Sequence, residues 1–260
     1  MAPDARHPFG TGNCCVFFKN QTYLEPITIL DRNTTDNAAA AGLVFIKRMK
    51  RFTERQGEGF AMVALAGEDA EADRDAFEKA GIGGSVYRFS RNATLPDGTE
   101  REIGVALAYA DFPAAPDASF FACQHLAKDV LFQPQYLEHP NGAAGVVAII
   151  AVAERPEEFQ ALLAGATGQS AIETIPFGIE AVVNGQAFLI IAPEGFRARY
   201  DLDPPNPRRG MLFAAFELEV LEIEVAARYA GRAAKRQDAR IVVPAAPGLG
   251  AVLAFRSSNG

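Results

Sequence analysis

The chain has 260 residues, 49% of them hydrophobic and 22% charged, with a formal net charge of −7. A length of this order buries one large core or two smaller ones. The acidic balance argues against nucleic acid or an anionic membrane as the main partner, since both select dense Lys/Arg surfaces. No run reaches about 18 apolar residues, so no membrane-spanning helix is expected.

In chain order, residues 14–19 and 22–29 read as a hairpin around Asn20-Gln21. Residues 37–55 predict one amphipathic helix, with Leu43, Ile46, Met49 and Phe52 along a single stripe. Its Lys47, Arg48, Lys50 and Arg51 read as a solvated basic face.

A repeat follows. Residues 60–67, 146–153 and 211–218 are apolar runs of strand length, each leading into an acidic segment with helical spacing. Extended pieces come after each helix. In the first copy they are 86–90, 103–110 and 119–124, with a Pro96-Asp97-Gly98 turn. In the second, 179–183 and 187–192 flank Asn184-Gly185, a type I′ hairpin signal. In the third they are 240–243 and 251–256. Gly81, Gly165 and Gly231 are the expected helix stops.

These readings predict an α+β fold of tandem βαβββ units paired into two barrel-like domains, residues 1–126 and 140–260, with an incomplete first unit. The three Cys (adjacent Cys14 and Cys15, and distant Cys123) form no disulfide framework or zinc knuckle. Without a charged-then-apolar leader pattern, a reduced cytoplasmic setting is the expectation. Gly10-Thr11-Gly12 lacks the strand–turn–helix context of a dinucleotide fingerprint.

Several stretches resemble the glyoxalase-like family of the vicinal oxygen chelate superfamily. They are His7-Pro8 with Gly10-Thr11-Gly12-Asn13, Tyr23-Leu24-Glu25, Arg91 with Pro96-Asp97-Gly98-Thr99, Cys123-Gln124-His125, and His139-Pro140-Asn141-Gly142-Ala143. That superfamily includes glyoxalase I, extradiol dioxygenases and bleomycin-resistance proteins. Family members usually carry a strand and helix ahead of the His-Pro segment, a portion this sequence lacks.

The resemblance implies a divalent metal held by His and Glu from the first and last strands of each unit. Position by position only Glu25 matches. Phe60, Val146 and Met211 stand where a His is expected, and the closing strands carry no carboxylate. The expectation is therefore no conventional metal site and no other cofactor.

The resemblance instead points to a small-molecule site in the first cleft. Glu25 and His125 are its candidate acid–base groups, and His7, Asn13, Arg91 and Gln124 its candidate ligand-binding residues. If catalytic, the reaction implied is of lyase, isomerase or dioxygenase type on an oxygenated organic molecule. The alternatives are a non-catalytic sequestering protein, or an interaction module in which an open sheet edge pairs two copies into a homodimer.

Overall fold

The computed structural model describes residues 2–95 and 98–258. The Pro96-Asp97 half of the expected turn lies outside them. Two small antiparallel sheets open the chain. Strands β1 (Ala5–Arg6), β2 (Thr11–Asn13) and a later strand β5 form one of them, and β3 (Val16–Phe17) with β4 (Tyr23–Leu24) form the other. Pro26 is the reason the expected strand at 22–29 is split. It has no N–H to give to a ladder, so β4 stops and β5 (Ile27–Ile29) pairs elsewhere, with Glu25 at the break.

Residues 37–55 were expected to form a single helix, but there are two, α1 (Arg32–Ala40) and α2 (Val44–Gln56). Asp31 caps α1 by accepting from the Thr34 N–H at 3.1 Å, and Gly42 at φ +95° turns the chain between them. The stripe prediction holds on α2, where Ile46, Met49 and Phe52 are buried.

Three full βαβββ units then follow. The first contains β6 (Met62–Gly67), α3 (Ala70–Lys79), β7 (Gly83–Thr94), β8 (Glu100–Ala110) and β9 (Ser119–His125). A short helix α4 (Lys128–Leu131) leads out of it. The second is β10 (Ala143–Ala153), α5 (Gln160–Thr167), β11 (Glu173–Ile175), β12 (Gly178–Val183) and β13 (Gln186–Ile191). After a helix α6 (Pro193–Tyr200), the third comprises β14 (Met211–Val220), α7 (Ile223–Tyr229), β15 (Lys235–Gln237), β16 (Arg240–Val243) and β17 (Val252–Ser257).

Within each unit the opening strand lies parallel to the closing one, giving the orders β6-β9-β8-β7, β10-β13-β12-β11 and β14-β17-β16-β15. The last two units join through antiparallel β10 and β14 into one open eight-stranded sheet. No sheet closes on itself among the described residues, so the barrel-like expectation becomes an open sheet.

Four local readings need correction. Gly165 lies inside α5; the stop is Gly168 at φ +68°. Strands β11 and β15 carry no apolar run and were missed. Helix α6 was also missed, and it carries Arg197 and Arg199. The Asn184-Gly185 turn is as expected, with φ of +51° and +79°.

One core runs through both halves. Val63, Phe77 and Phe120 of the first unit pack with Leu162, Phe188 and Phe213 of the others. Helix α6 lies on the opposite face of the large sheet, where Phe196 and Tyr200 are fully buried beside Ile150, Leu189 and Val242. Among the described residues no helix is long and apolar enough to cross a membrane.

Candidate functional site

Alternation along β7, β8 and β9 builds the floor of a cavity. On one face of this sheet Ala106, Ala108, Phe120 and Ala122 pack into the core with α3. The other face presents Phe89 and Arg91, then Val105 and Leu107, then Cys123 and His125. The N-terminal segments roof it with His7, Asn13 and Glu25, and α2 adds Phe45. The space is about 810 Å³ when counted out through its mouth into open solvent.

The roof is shaped by the segment around Gly10. The His7 N–H donates to the Thr11 carbonyl at 2.8 Å, and Gly10 sits at φ +86°. A Cβ at Gly10 would stand 2.6 Å from the Asp31 carbonyl oxygen, so only glycine fits there. Thr11 Oγ1 lies 2.8 Å from His7 Nδ1, leaving Nε2 to point at Glu25 from 3.9 Å. The His7 ring stacks on Phe9 at 5.0 Å and meets Phe89 edge-on at 5.7 Å. Burial, helped by the nearby Arg91 charge, brings its pKa down to about 4, so His7 is neutral at pH 7.

Glu25 accepts a hydrogen bond on Oε1 from the Asn13 side-chain amide, and its Oε2 has no donor among the described residues. Its side chain keeps 29% of its surface open and lines the cavity. Desolvation by the surrounding protein dominates and raises its pKa, while the Asn13 bond and Arg91 pull the other way.

His125 has weak company. Its Nε2 is 3.5 Å from the Tyr23 hydroxyl and 3.7 Å from Cys123 Sγ, and its Nδ1 is buried without a partner. Burial, with Lys128 adding to it, lowers its pKa to about 4. Arg91 is the one Lys or Arg among the lining residues, and no carboxylate lies within ion-pair distance of it among the described residues. Cys15 and Cys123 also line the cavity. Burial pushes both thiols up, Cys123 to about 12, so neither is a standing nucleophile.

Of the six residues nominated from sequence, the structure brings together Glu25, His125, His7, Asn13 and Arg91. Gln124 is elsewhere. It lies between Cys123 and His125 on β9, so the pleat turns it to the opposite face. There its amide donates to the Glu68 carbonyl at 2.7 Å, and its Oε1 accepts from the Ala70 N–H at 3.3 Å at the start of α3. Arg88, on that face too, pairs with Glu71 at 2.7 Å. His139 props the hairpin, its Nε2 lying 2.7 Å from the Phe17 carbonyl oxygen.

The sequence reading missed Tyr23, Phe9, Phe89 and the two lining thiols. Counting every second residue outward from Arg91 and His125 would have found Phe89 and Cys123. The superfamily's divalent ion does not fit this donor set. Glu25 is engaged by an amide, and among the described residues no three His, Cys, Asp or Glu groups are placed to hold one ion.

A family model described as Glyoxalase-like domain matches residues 1–167. Among solved structures, a hypothetical protein from Staphylococcus aureus superposes with a TM-score of 0.67 at 12% identity, covering 98% of this chain and 89% of that one. A triple mutant of 4-hydroxymandelate synthase from Streptomyces coelicolor gives a TM-score of 0.51 at 11% identity, covering 96% and 82%. At these identities the likeness is one of fold. No curated protein matches the chain in sequence.

Proposed function

This chain belongs to the glyoxalase-like domain family of the vicinal oxygen chelate superfamily, and from that premise we propose that its first cleft binds a small oxygenated organic acid and moves a proton on it through Glu25. The observation that carries this reading is the convergence of Glu25, His7, His125, Asn13 and Arg91 on one largely apolar cavity.

The roles follow from the surroundings of each group. Arg91, a guanidinium without a carboxylate partner, is the place for a ligand carboxylate or a developing enolate oxygen. Glu25, with its raised pKa, is closer in proton affinity to a carbon acid than an ordinary carboxylate. Asn13 holds one carboxylate oxygen and so orients the other. His7 and His125 are uncharged near neutrality and serve as hydrogen-bonding groups on ligand oxygens. The phenylalanine walls exclude water and select an apolar body. Such a site suits isomerase- or lyase-type chemistry, and no step is assigned to a metal.

A panel of aromatic and aliphatic 2-oxo and 2-hydroxy acids in D₂O tests this by NMR. We expect at least one to bind and to exchange a carbon-bound proton for deuterium, with Glu25→Gln lowering the exchange about 10²-fold or more while binding persists. Binding without exchange would favour the sequestering alternative. Stoichiometric Zn, Fe, Mn or Ni in the purified protein, needed for turnover, would overturn the metal-free reading.

A further inference from the structure

A second cavity, about 330 Å³ when counted out into open solvent, lies behind α2, between that helix, the end of β8, the start of β9 and the loop joining those strands. The basic run on α2 divides there. Lys47 is exposed and Lys50 pairs with Asp36, as a solvated face would have it. Arg48 and Arg51, one turn apart, instead turn inward and line the cavity.

The Arg48 side chain is only 10% exposed, and its guanidinium lies over the Tyr109 ring at 5.1 Å. Asp111 is its one carboxylate partner, at 3.5 Å, and is itself 65% exposed. Arg51 gives one donor to the Pro116 carbonyl, has no carboxylate within ion-pair distance, and keeps its Nε buried with no partner. The Ser119 side chain lines the same space, and its hydroxyl has no partner among the described residues. Asp117, next to the loop carbonyl that Arg51 uses, is already taken by Gln56 at 3.2 Å and Arg209 at 3.5 Å.

Two guanidiniums thus share a semi-enclosed space with one carboxylate, Asp111, which pairs with Arg48 alone. Burial lowers the Arg48 pKa, Asp111 and Tyr109 pull the other way, and the Arg51 charge adds a smaller lowering of its own. A buried donor without an acceptor is costly, and a buried excess of positive charge more so. An anion between them relieves both.

We propose that this cavity is a binding site for a small oxyanion, held by Arg48 and Arg51 with the Ser119 hydroxyl as a third donor. The site is separate from the Glu25 cavity. It shares α2 with it, since Phe45 lines the one and Arg48 and Arg51 line the other. Occupancy would therefore brace a wall of the first cleft.

Titration of the whole protein with inorganic phosphate, followed by the arginine Nε–H resonances in NMR, tests the site. Two resonances should shift saturably, well beyond any change in sodium chloride of matched ionic strength. Arg51→Lys and Arg48→Lys keep the charge but lose the fork. Each should remove one of the moving resonances and weaken phosphate binding about tenfold, which is ~1.4 kcal/mol. Shifts no larger than those in chloride, or moving resonances that survive in both variants, would overturn the proposal. The wild-type titration is decisive alone if a variant fails to fold.

Discussion

The two halves use the same βαβββ unit in opposite ways. In the first, α2 covers only part of the β7–β9 face and leaves the Glu25 cavity beside it. In the second, α6 lies across the corresponding face and fills it with Phe196 and Tyr200. Each half also has a carboxylate between its sheet and the segments that cover it, Glu25 from the roof in the first and Glu217 from the sheet in the second, and the two are treated differently.

Glu217 on β14 is fully buried, and its Oε1 accepts from Arg199 at 2.8 Å, Tyr200 at 2.9 Å and Arg240 at 2.9 Å. Burial alone would raise its pKa, but the two guanidiniums outweigh it and hold the carboxyl below its usual range. Glu25 has an amide where Glu217 has cations, so desolvation wins and its pKa rises. The comparison teaches that a carboxylate in a sheet cleft serves structure when cations meet it, and is available for chemistry when they do not.

The sharpest way to break the contrast is Glu217→Ala. It strands Arg199 and Arg240, both mostly buried, and should cost about 3–5 kcal/mol in urea denaturation. Retention of full stability would mean that the latch on α6 is not formed.

Acidification should act on the first half. His7 and His125 have folded pKa values depressed from 6.5 to about 4, so the stability they contribute is present above 6.5 and lost as pH falls through 4. We expect a loss on the order of a few kcal/mol across that window, with a smaller slope in a His7→Asn, His125→Asn double variant. An unchanged slope would contradict the burial of both rings.

The smallest effect belongs to Glu25→Gln. Because its folded pKa is raised, Glu25 favours the fold at low pH and loses that contribution as pH rises through the raised value. The variant should melt about 1–3 °C higher at pH 7 to 8 and match the wild type at pH 4. A lower melting temperature at pH 7 would show that the ionised carboxylate is stabilised instead.

Much of the first cleft was legible because the signals are local. Alternation fixes which strand residues share a face, and Pro26 marks where Glu25 leaves the ladder. Gln124 was misplaced by ignoring that same alternation. Helix α6 was not legible, since its short sequence carries both charged and aromatic residues and becomes apolar on one side only against the sheet. Strands β11 (ETI) and β15 (KRQ) were invisible for a related reason: edge strands are held by backbone pairing and need no hydrophobic run. The inward turn of Arg48 and Arg51 likewise depends on Tyr109 and the Pro116 carbonyl, which are distant in sequence.

The sequence by itself determined the repeat, the identity of its opening strands and most of the polar residues of one cleft, because periodicity and turn chemistry act over a few residues. Only the tertiary structure decided that one cleft stays open while the other is filled. That outcome depends on which helix lies over each sheet, and on whether a cation or an amide reaches the carboxylate beside it.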